Sequence, residues 1–174
     1  MAVRDVIIWP DETLLVESEA LDLAENNQEL VNDLIETMTS ISGIGLAAPQ
    51  VGISKRCFVI NGPLIDEEKF PDNIVMINPV LLDGIGSIVS EEGCLSIPEV
   101  YVYVNRADTI FVEYFDQQGN KQELTATGLL SIAIQHEIDH LDGILIAEKM
   151  NRSQRRNAAR LMKKIKAKGL RKVG

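Results

Sequence analysis

Leu129-Leu-Ser-Ile-Ala-Ile-Gln-His-Glu-Ile-Asp-His-Leu141 carries the densest chemical signal in the chain. Thr127 stands before it as a candidate cap and Gly143 after it as a stop, so the spacing predicts one helix. On a helix, positions i and i+4 share a face. His136 and His140 can then present both imidazoles to one metal ion, and no other histidine exists in the chain. Glu137 stands beside the first imidazole, where a carboxylate can act as general base towards a water activated by the metal. A packing or surface role for both histidines is the competing reading, and it leaves the five-residue pattern unexplained.

A catalytic site of this kind usually takes three protein ligands and keeps one position open. The longer metalloprotease pattern would place another histidine at position 146, which is isoleucine. Glu148 lies too close along the chain for an easy return, so the two cysteines are the better candidates. Cys57, in Arg56-Cys-Phe-Val-Ile60, reads as a small core residue. Cys94, in Glu91-Glu-Gly-Cys-Leu-Ser-Ile-Pro98, lies in a turn-like stretch where Gly93 permits close backbone bending. Cys94 is therefore favoured.

Working outward, Leu30, Val31, Leu34, Ile35, Met38 and Ile41 recur at helical spacing, with Asn26 and Glu29 as a start signal. Extended segments are expected at Val6–Trp9, Cys57–Ile60, Ile74–Ile77, Ile85–Val89, Val100–Val104, Thr109–Phe115 and Lys121–Thr125. The last two form a hairpin across Gln117-Gln-Gly-Asn120. Residues 61–73 read as a loop, and Asn78-Pro79 as a break. A final helix is expected over Arg152–Lys168, with Ala158, Leu161, Met162 and Ile165 as its apolar stripe. Strands fill the middle and helices flank them, without βαβ alternation. The fold class expected is α+β: antiparallel or mixed β-sheets around a central metal-binding helix, with N-terminal and C-terminal helices.

The 174 residues are 45% apolar and 25% charged, which excludes a disordered or fibrous chain. No apolar run reaches the length of a membrane span, and the first residues show no export signal, so a cytoplasmic protein is expected. Two cysteines cannot build a disulfide framework. Residues 1–147 hold 25 acids and 6 bases, whereas residues 148–174 hold 11 bases and one acid. The organisation expected is a catalytic domain over 1–150 and a basic helix and tail over 151–174. The acidic body repels nucleic acid and the basic tail attracts it. A solvated helix face docked on an acidic domain is the plainer reading of the same tail.

Gly43-Ile-Gly-Leu-Ala-Ala-Pro-Gln50-Val-Gly52 is a weak phosphate-loop candidate, because it follows a helix and lacks the Lys-Ser/Thr pair. Its meaning changes beside the other two segments. Gly43–Gln50, Glu92-Gly-Cys-Leu-Ser96 and Gln135-His-Glu-Ile-Asp-His-Leu141 together resemble, in order and spacing, the three signature motifs of peptide deformylases. The resemblance covers about residues 4 to 150. It implies removal of formate from the formylmethionyl end of nascent polypeptides. It implies Cys94 as third ligand to one divalent metal ion, Fe(II) expected, with zinc, nickel or cobalt as substitutes. It implies Glu137 as general base and then acid, with the Leu95 N–H and the Gln50 amide receiving the oxyanion. Ile44, Leu129, Ile132 and Ala133 are candidates for the methionine pocket, and the backbones of Ile44 and Gly45 for strand-like pairing with substrate.

The same likeness makes Asp139 and Glu92 candidates to orient His136, His140 or Arg106, against a plain salt bridge. The C-terminal helix resembles that of the longer bacterial type, which docks at the ribosomal exit tunnel. Two positions depart from the pattern: Tyr101 stands where many relatives carry an arginine near the substrate entrance, and Ala133 replaces a thiol. The rival readings are a zinc endopeptidase and a non-catalytic ribosome-associated metalloprotein.

Overall fold

The computed structural model describes residues 2–168. Seven strands and four helices follow one another in an α+β order. They are α1 (Gln28–Ser40), β1 (Gly45–Ala47), β2 (Cys57–Ile60), α2 (Gly62–Asp66), β3 (Ile74–Ile85), β4 (Ile88–Cys94), β5 (Ile97–Arg106), β6 (Thr109–Phe115), β7 (Lys121–Thr127), α3 (Gly128–Leu141) and α4 (Arg152–Lys168). One sheet has the order β1-β2-β3-β6-β7 and the other pairs β4 with β5. Every ladder is antiparallel.

Alternation along β2 explains the layering. Cys57 and Val59 point to one face, where Val31, Leu34 and Met38 of α1 pack on them. Phe58 and Ile60 point to the other, against Leu130, Ala133, Ile134, Ile138 and Leu141 of α3. Both faces of the sheet are thus covered at β2, which is why Cys-Phe-Val-Ile reads as an uninterrupted apolar run. The opposite side of α3 carries His136, Glu137 and His140 towards the β4–β5 hairpin. The central helix is wedged between the two sheets.

Three sequence expectations are corrected, and a fourth takes the looser of its forms. Residues 6–8 form an extended start that belongs to neither named sheet, and the chain turns at Trp9; Ile7 N–H donates to Gln50 O (2.7 Å) and Trp9 N–H to Ser96 O (2.9 Å). β3 runs straight through Asn78-Pro79. Asn78 adopts φ 49° at a register shift, its side chain accepts from Leu21 N–H (2.8 Å), and it donates to Leu21 O (2.9 Å). Asparagine tolerates that conformation, and an irregularity in the ladder tolerates the missing proline N–H. The expected strand at 85–89 is divided: Ile85 ends β3, Ile88 and Val89 open β4, and residues 86–87 pass from one sheet to the other, turning at Gly86 with φ 72°. Residues 61–73 include the short helix α2, whose cap Asn61 accepts from Leu64 N–H (3.3 Å).

Helix starts also shift slightly. α1 begins at Gln28, with Asn26 Oδ1 accepting from its N–H (3.1 Å). Thr127 occupies the cap position of α3 without a hydroxyl bond to the helix. The stripe Ala158, Leu161, Met162 and Ile165 packs α4 onto the cluster of Val100, Val102, Val104, Leu145, Ile146 and Met150. Its lysines and arginines stay exposed. The last residues of the expected basic tail, 169–174, lie outside the described residues.

Candidate metal centre

Cys94 ends β4, where the hairpin turns back into β5, and His136 and His140 stand one helical turn apart on α3. One ligand atom from each of the three lies within 4.8 Å of the others. Cys94 Sγ is 3.3 Å from His140 Nε2, and the two imidazole rings meet edge to face at 5.0 Å between centroids. Burial pushes the Cys94 thiol up, but His140 and His136 outweigh it and bring it to about 5. Cys57 has only the burial, which pushes it up to about 12. One cysteine is thus a thiolate at neutral pH and the other a thiol in the core. A soft anionic sulfur with two imidazoles suits a borderline divalent cation such as iron or zinc, and not magnesium.

His136 is held firmly. Its Nδ1 faces Glu92 Oε1 at 3.0 Å, and Arg106 grips the same carboxylate through Nε (2.9 Å) and NH2 (2.9 Å). Ser90 Oγ donates to Glu92 Oε2 (3.1 Å). Burial alone would raise Glu92, but His136 and Arg106 hold it at about 2. Burial works against a charged His136, and the bonds to Cys94 and Glu92 nevertheless hold it well above the usual imidazole range. Asp139 takes the other arm of Arg106 (2.6 Å) together with Lys149 (3.1 Å). Glu92 therefore orients a histidine directly, whereas Asp139 is bound to the two cations and acts on His136 only through Arg106.

Glu137 is 4% exposed, and its Oε2 has no hydrogen-bond partner among the described residues. Burial raises its pKa, against the pull of both imidazoles, which strengthens it as a base. Gly45 on β1 leaves the space it fills: a Cβ there would stand 2.5 Å from Glu137 Oε1. Gln50 is 2% exposed, on a single turn over Ala48–Val51. Its Oε1 accepts from Ala47 N–H (3.0 Å), so the NH2 points to Ser96 Oγ (3.3 Å) and Cys94 Sγ (3.8 Å). Ser96 is a partner that sequence reasoning missed, although it lies two residues after the cysteine in the same tight turn.

These groups open into a cavity of about 480 Å³. Ile44, Gly45, Gln50, Cys94, Leu95, Leu129, Ile132, Ala133, His136 and Glu137 all line it, so every residue expected from the sequence to bind metal or substrate or to act in catalysis, except the deeper His140, borders one space. Tyr101 and the carboxylate residues Glu91 and Glu99 line its mouth, and sequence reasoning had not placed the two glutamates there. Ile44 O is already engaged by Asn61 N–H (2.8 Å). By alternation the Gly45 backbone faces the outer edge of the sheet, where β1 has no neighbour. Gly45 thus presents backbone groups at a free sheet edge, while the Ile44 carbonyl is taken up within the sheet.

A buried cysteine, two helical imidazoles and an unpaired carboxylate converge beside the cavity, a donor set that suits a metal-dependent hydrolase. The polypeptide deformylase family model matches residues 3–156. A peptide deformylase of Thermodesulfovibrio yellowstonii is 43% identical over 152 residues, spanning 87% of this chain and 91% of the relative. The solved structure of a peptide deformylase from Legionella pneumophila superposes with a TM-score of 0.86 at 37% identity, covering 95% and 96% of the two chains. That from Ehrlichia chaffeensis in complex with actinonin gives 0.87 at 35% identity, covering 97% and 98%. The chain belongs to the polypeptide deformylase family. It is a metal-dependent hydrolase that removes formate from the N-formylmethionyl end of new polypeptides.

Proposed function

We propose that Cys94, His136 and His140 hold the single divalent cation of this deformylase, with Fe(II) as the native ion and zinc, nickel or cobalt able to take its place. The observation that carries the reading is the convergence of the three ligand atoms beside the one unpartnered oxygen of Glu137. Such an ion supplies an acidified water and a polarised carbonyl. The remaining work falls to the chain. Glu137 Oε2 accepts a proton from the attacking water and returns it to the departing amine nitrogen. The Gln50 NH2 and the Leu95 N–H receive the negative charge that grows on the formyl oxygen. Losing one such donor costs about 3 kcal/mol of barrier.

Ile44, Leu129, Ile132 and Ala133 line the apolar part of the cavity and are assigned to the methionine side chain. Residues 1–150 form the catalytic unit, and the exposed basic face of α4 is assigned to ribosomal RNA, a polyanion. The substrate arises at the ribosome, which sets the cytoplasm as the place of action. No helix among the described residues is long and apolar enough to cross a membrane. Formate release from a formylmethionyl peptide, measured beside internal cleavage of a blocked peptide, tests the function. Internal cleavage without formate would transfer the assignment to an endopeptidase. Deletion from residue 152 should weaken ribosome binding, and the intact chain should lose that binding steeply with salt. Equal binding by both forms would leave α4 a structural element.

A further inference from the structure

Against another side of α3 lies a second cavity, about 450 Å³, that shares no lining residue with the first. Arg106, Gln135, Ile138, Asp139 and Lys149 stand on its wall. Lys149 ends the single turn Ile146–Lys149 between α3 and α4. Leu145, Ile146 and Met150 are buried in the cluster under α4. Arg155 of α4 donates to the carbonyls of Met150 (3.1 Å) and Glu148 (3.4 Å), on either side of Lys149. The backbone that carries the lysine is therefore fixed. Its ammonium lies 3.1 Å from Asp139 Oδ2, the one ion pair it forms among the described residues. The same oxygen accepts from Arg106 NH1 (2.6 Å).

Charges then alternate along one chain of contacts, from Lys149 through Asp139, Arg106 and Glu92 to His136. Without the lysine, one guanidinium would serve two carboxylates whose side chains are 6% exposed at Glu92 and 17% at Asp139. An uncompensated charge at that depth is costly, so Asp139 would draw Arg106 towards itself and away from Glu92. The atom affected is Glu92 Oε1, which takes both Arg106 NH2 (2.9 Å) and His136 Nδ1 (3.0 Å). The chain of contacts also joins both pieces of the site. Glu92 and Arg106 belong to the β4–β5 ribbon that carries Cys94, whereas Asp139 and His136 stand one turn apart on α3.

We infer that Lys149 is a positioning residue for the metal ligands: by neutralising Asp139 it leaves Arg106 to Glu92, and so holds His136 in register with Cys94. The inference rests on the ligand set proposed above and adds to it a residue outside the substrate cavity. Partners that touch a ligand directly change metal affinity by about 10- to 100-fold. Lys149, with three groups between it and the imidazole, belongs at the lower end of that range.

The test measures Zn(II) affinity by competition with a chelator, and the His136 Nδ1–H proton resonance of the zinc-loaded protein by NMR. Lys149→Met should weaken zinc binding roughly ten-fold and move that resonance, while Lys149→Arg should keep both near the parent. In an Asp139→Asn background, Lys149→Met should add nothing further. The second cavity supplies another arm. Ethylammonium, which can donate to Asp139 from that space, should restore zinc affinity to Lys149→Ala; tetramethylammonium at equal ionic strength, with no N–H to donate, should not. A lower melting temperature of metal-free Lys149→Met, with parental zinc affinity and an unmoved His136 resonance, would make Lys149 an ordinary surface ion pair and overturn the inference. Equal losses in the native and Asp139→Asn backgrounds would overturn it as well. Zinc binding by the parent that leaves the His136 resonance unchanged would instead sink the ligand set, a failure visible before any variant is made.

Discussion

Replacing Gly45 by alanine adds one carbon where the structure has no room for it. The new Cβ would meet Glu137 Oε1 at 2.5 Å, whereas ordinary contact begins at about 3.4 Å. The carboxylate must therefore withdraw by about 0.9 Å, and Ile60 Cδ1, 3.0 Å from the same Cβ, closes one way out. Glu137 supplies none of the three ligand atoms, so the metal set should survive. A displacement near 1 Å in a proton-transferring group costs on the order of 10²-fold in rate, or about 2.7 kcal/mol of barrier. Overpacking of the interior adds a stability loss of about 1–3 kcal/mol. The assay is kcat for formate release from a formylmethionyl tripeptide, run beside elemental analysis of bound metal and a thermal melt. The expected result is a kcat lowered about a hundred-fold with full metal content and a still-folded protein. Native kcat in Gly45→Ala would refute the claim that the glycine exists to seat Glu137. Loss of metal together with activity would show that the strain reaches the ligands instead.

Glu137→Gln should bind metal as the parent does and lose 10²–10⁴-fold in turnover; undiminished formate release would remove the carboxylate from proton transfer. Cys94→Ala should lose metal in a competition titration against a chelator, while Cys57→Ala should keep it, and the opposite pattern would mean the wrong sulfur was chosen. Arg106→Leu strands Glu92 and Asp139 without their buried cation, so the melting free energy should fall by about 3–5 kcal/mol. Acid stability should follow Glu92: its folded value of about 2 lies below the ordinary 4.5, so its contribution is complete above 4.5 and vanishes as pH falls towards 2. Acid titration of unfolding in Glu92→Gln should lack that component; an identical profile would assign the acid transition elsewhere.

The imidazole pair was legible from spacing alone, because 3.6 residues per turn fixes which side chains share a face. Cys94 was legible by elimination, once position 146 denied a third histidine and the turn around Gly93 offered a sulfur. The layers were readable wherever a strand is buried on both faces, as in β2. What the sequence hid depended on tertiary geometry. Asn78-Pro79 looks like a terminator because local propensity opposes a strand there, yet the Leu21 backbone satisfies the asparagine and lets β3 continue. Residues 85–89 look like a strand because Ile85, Ile88 and Val89 are β formers, while Gly86 in between turns the chain from one sheet to the other. Glu91 and Glu99 gave no signal, since an exposed glutamate in a strand normally means solvent. Only the hairpin's bend around the cavity places them in its lining.

The three ligand atoms come from two separately hydrogen-bonded pieces of protein, a two-stranded ribbon and a helix seated on the larger sheet. An ion held by the proposed set would rivet the ribbon to the body and close the long excursion of chain between positions 94 and 136. Rigidity and reactivity then share the same bonds, so oxidation of one sulfur would loosen the architecture in the act of silencing it.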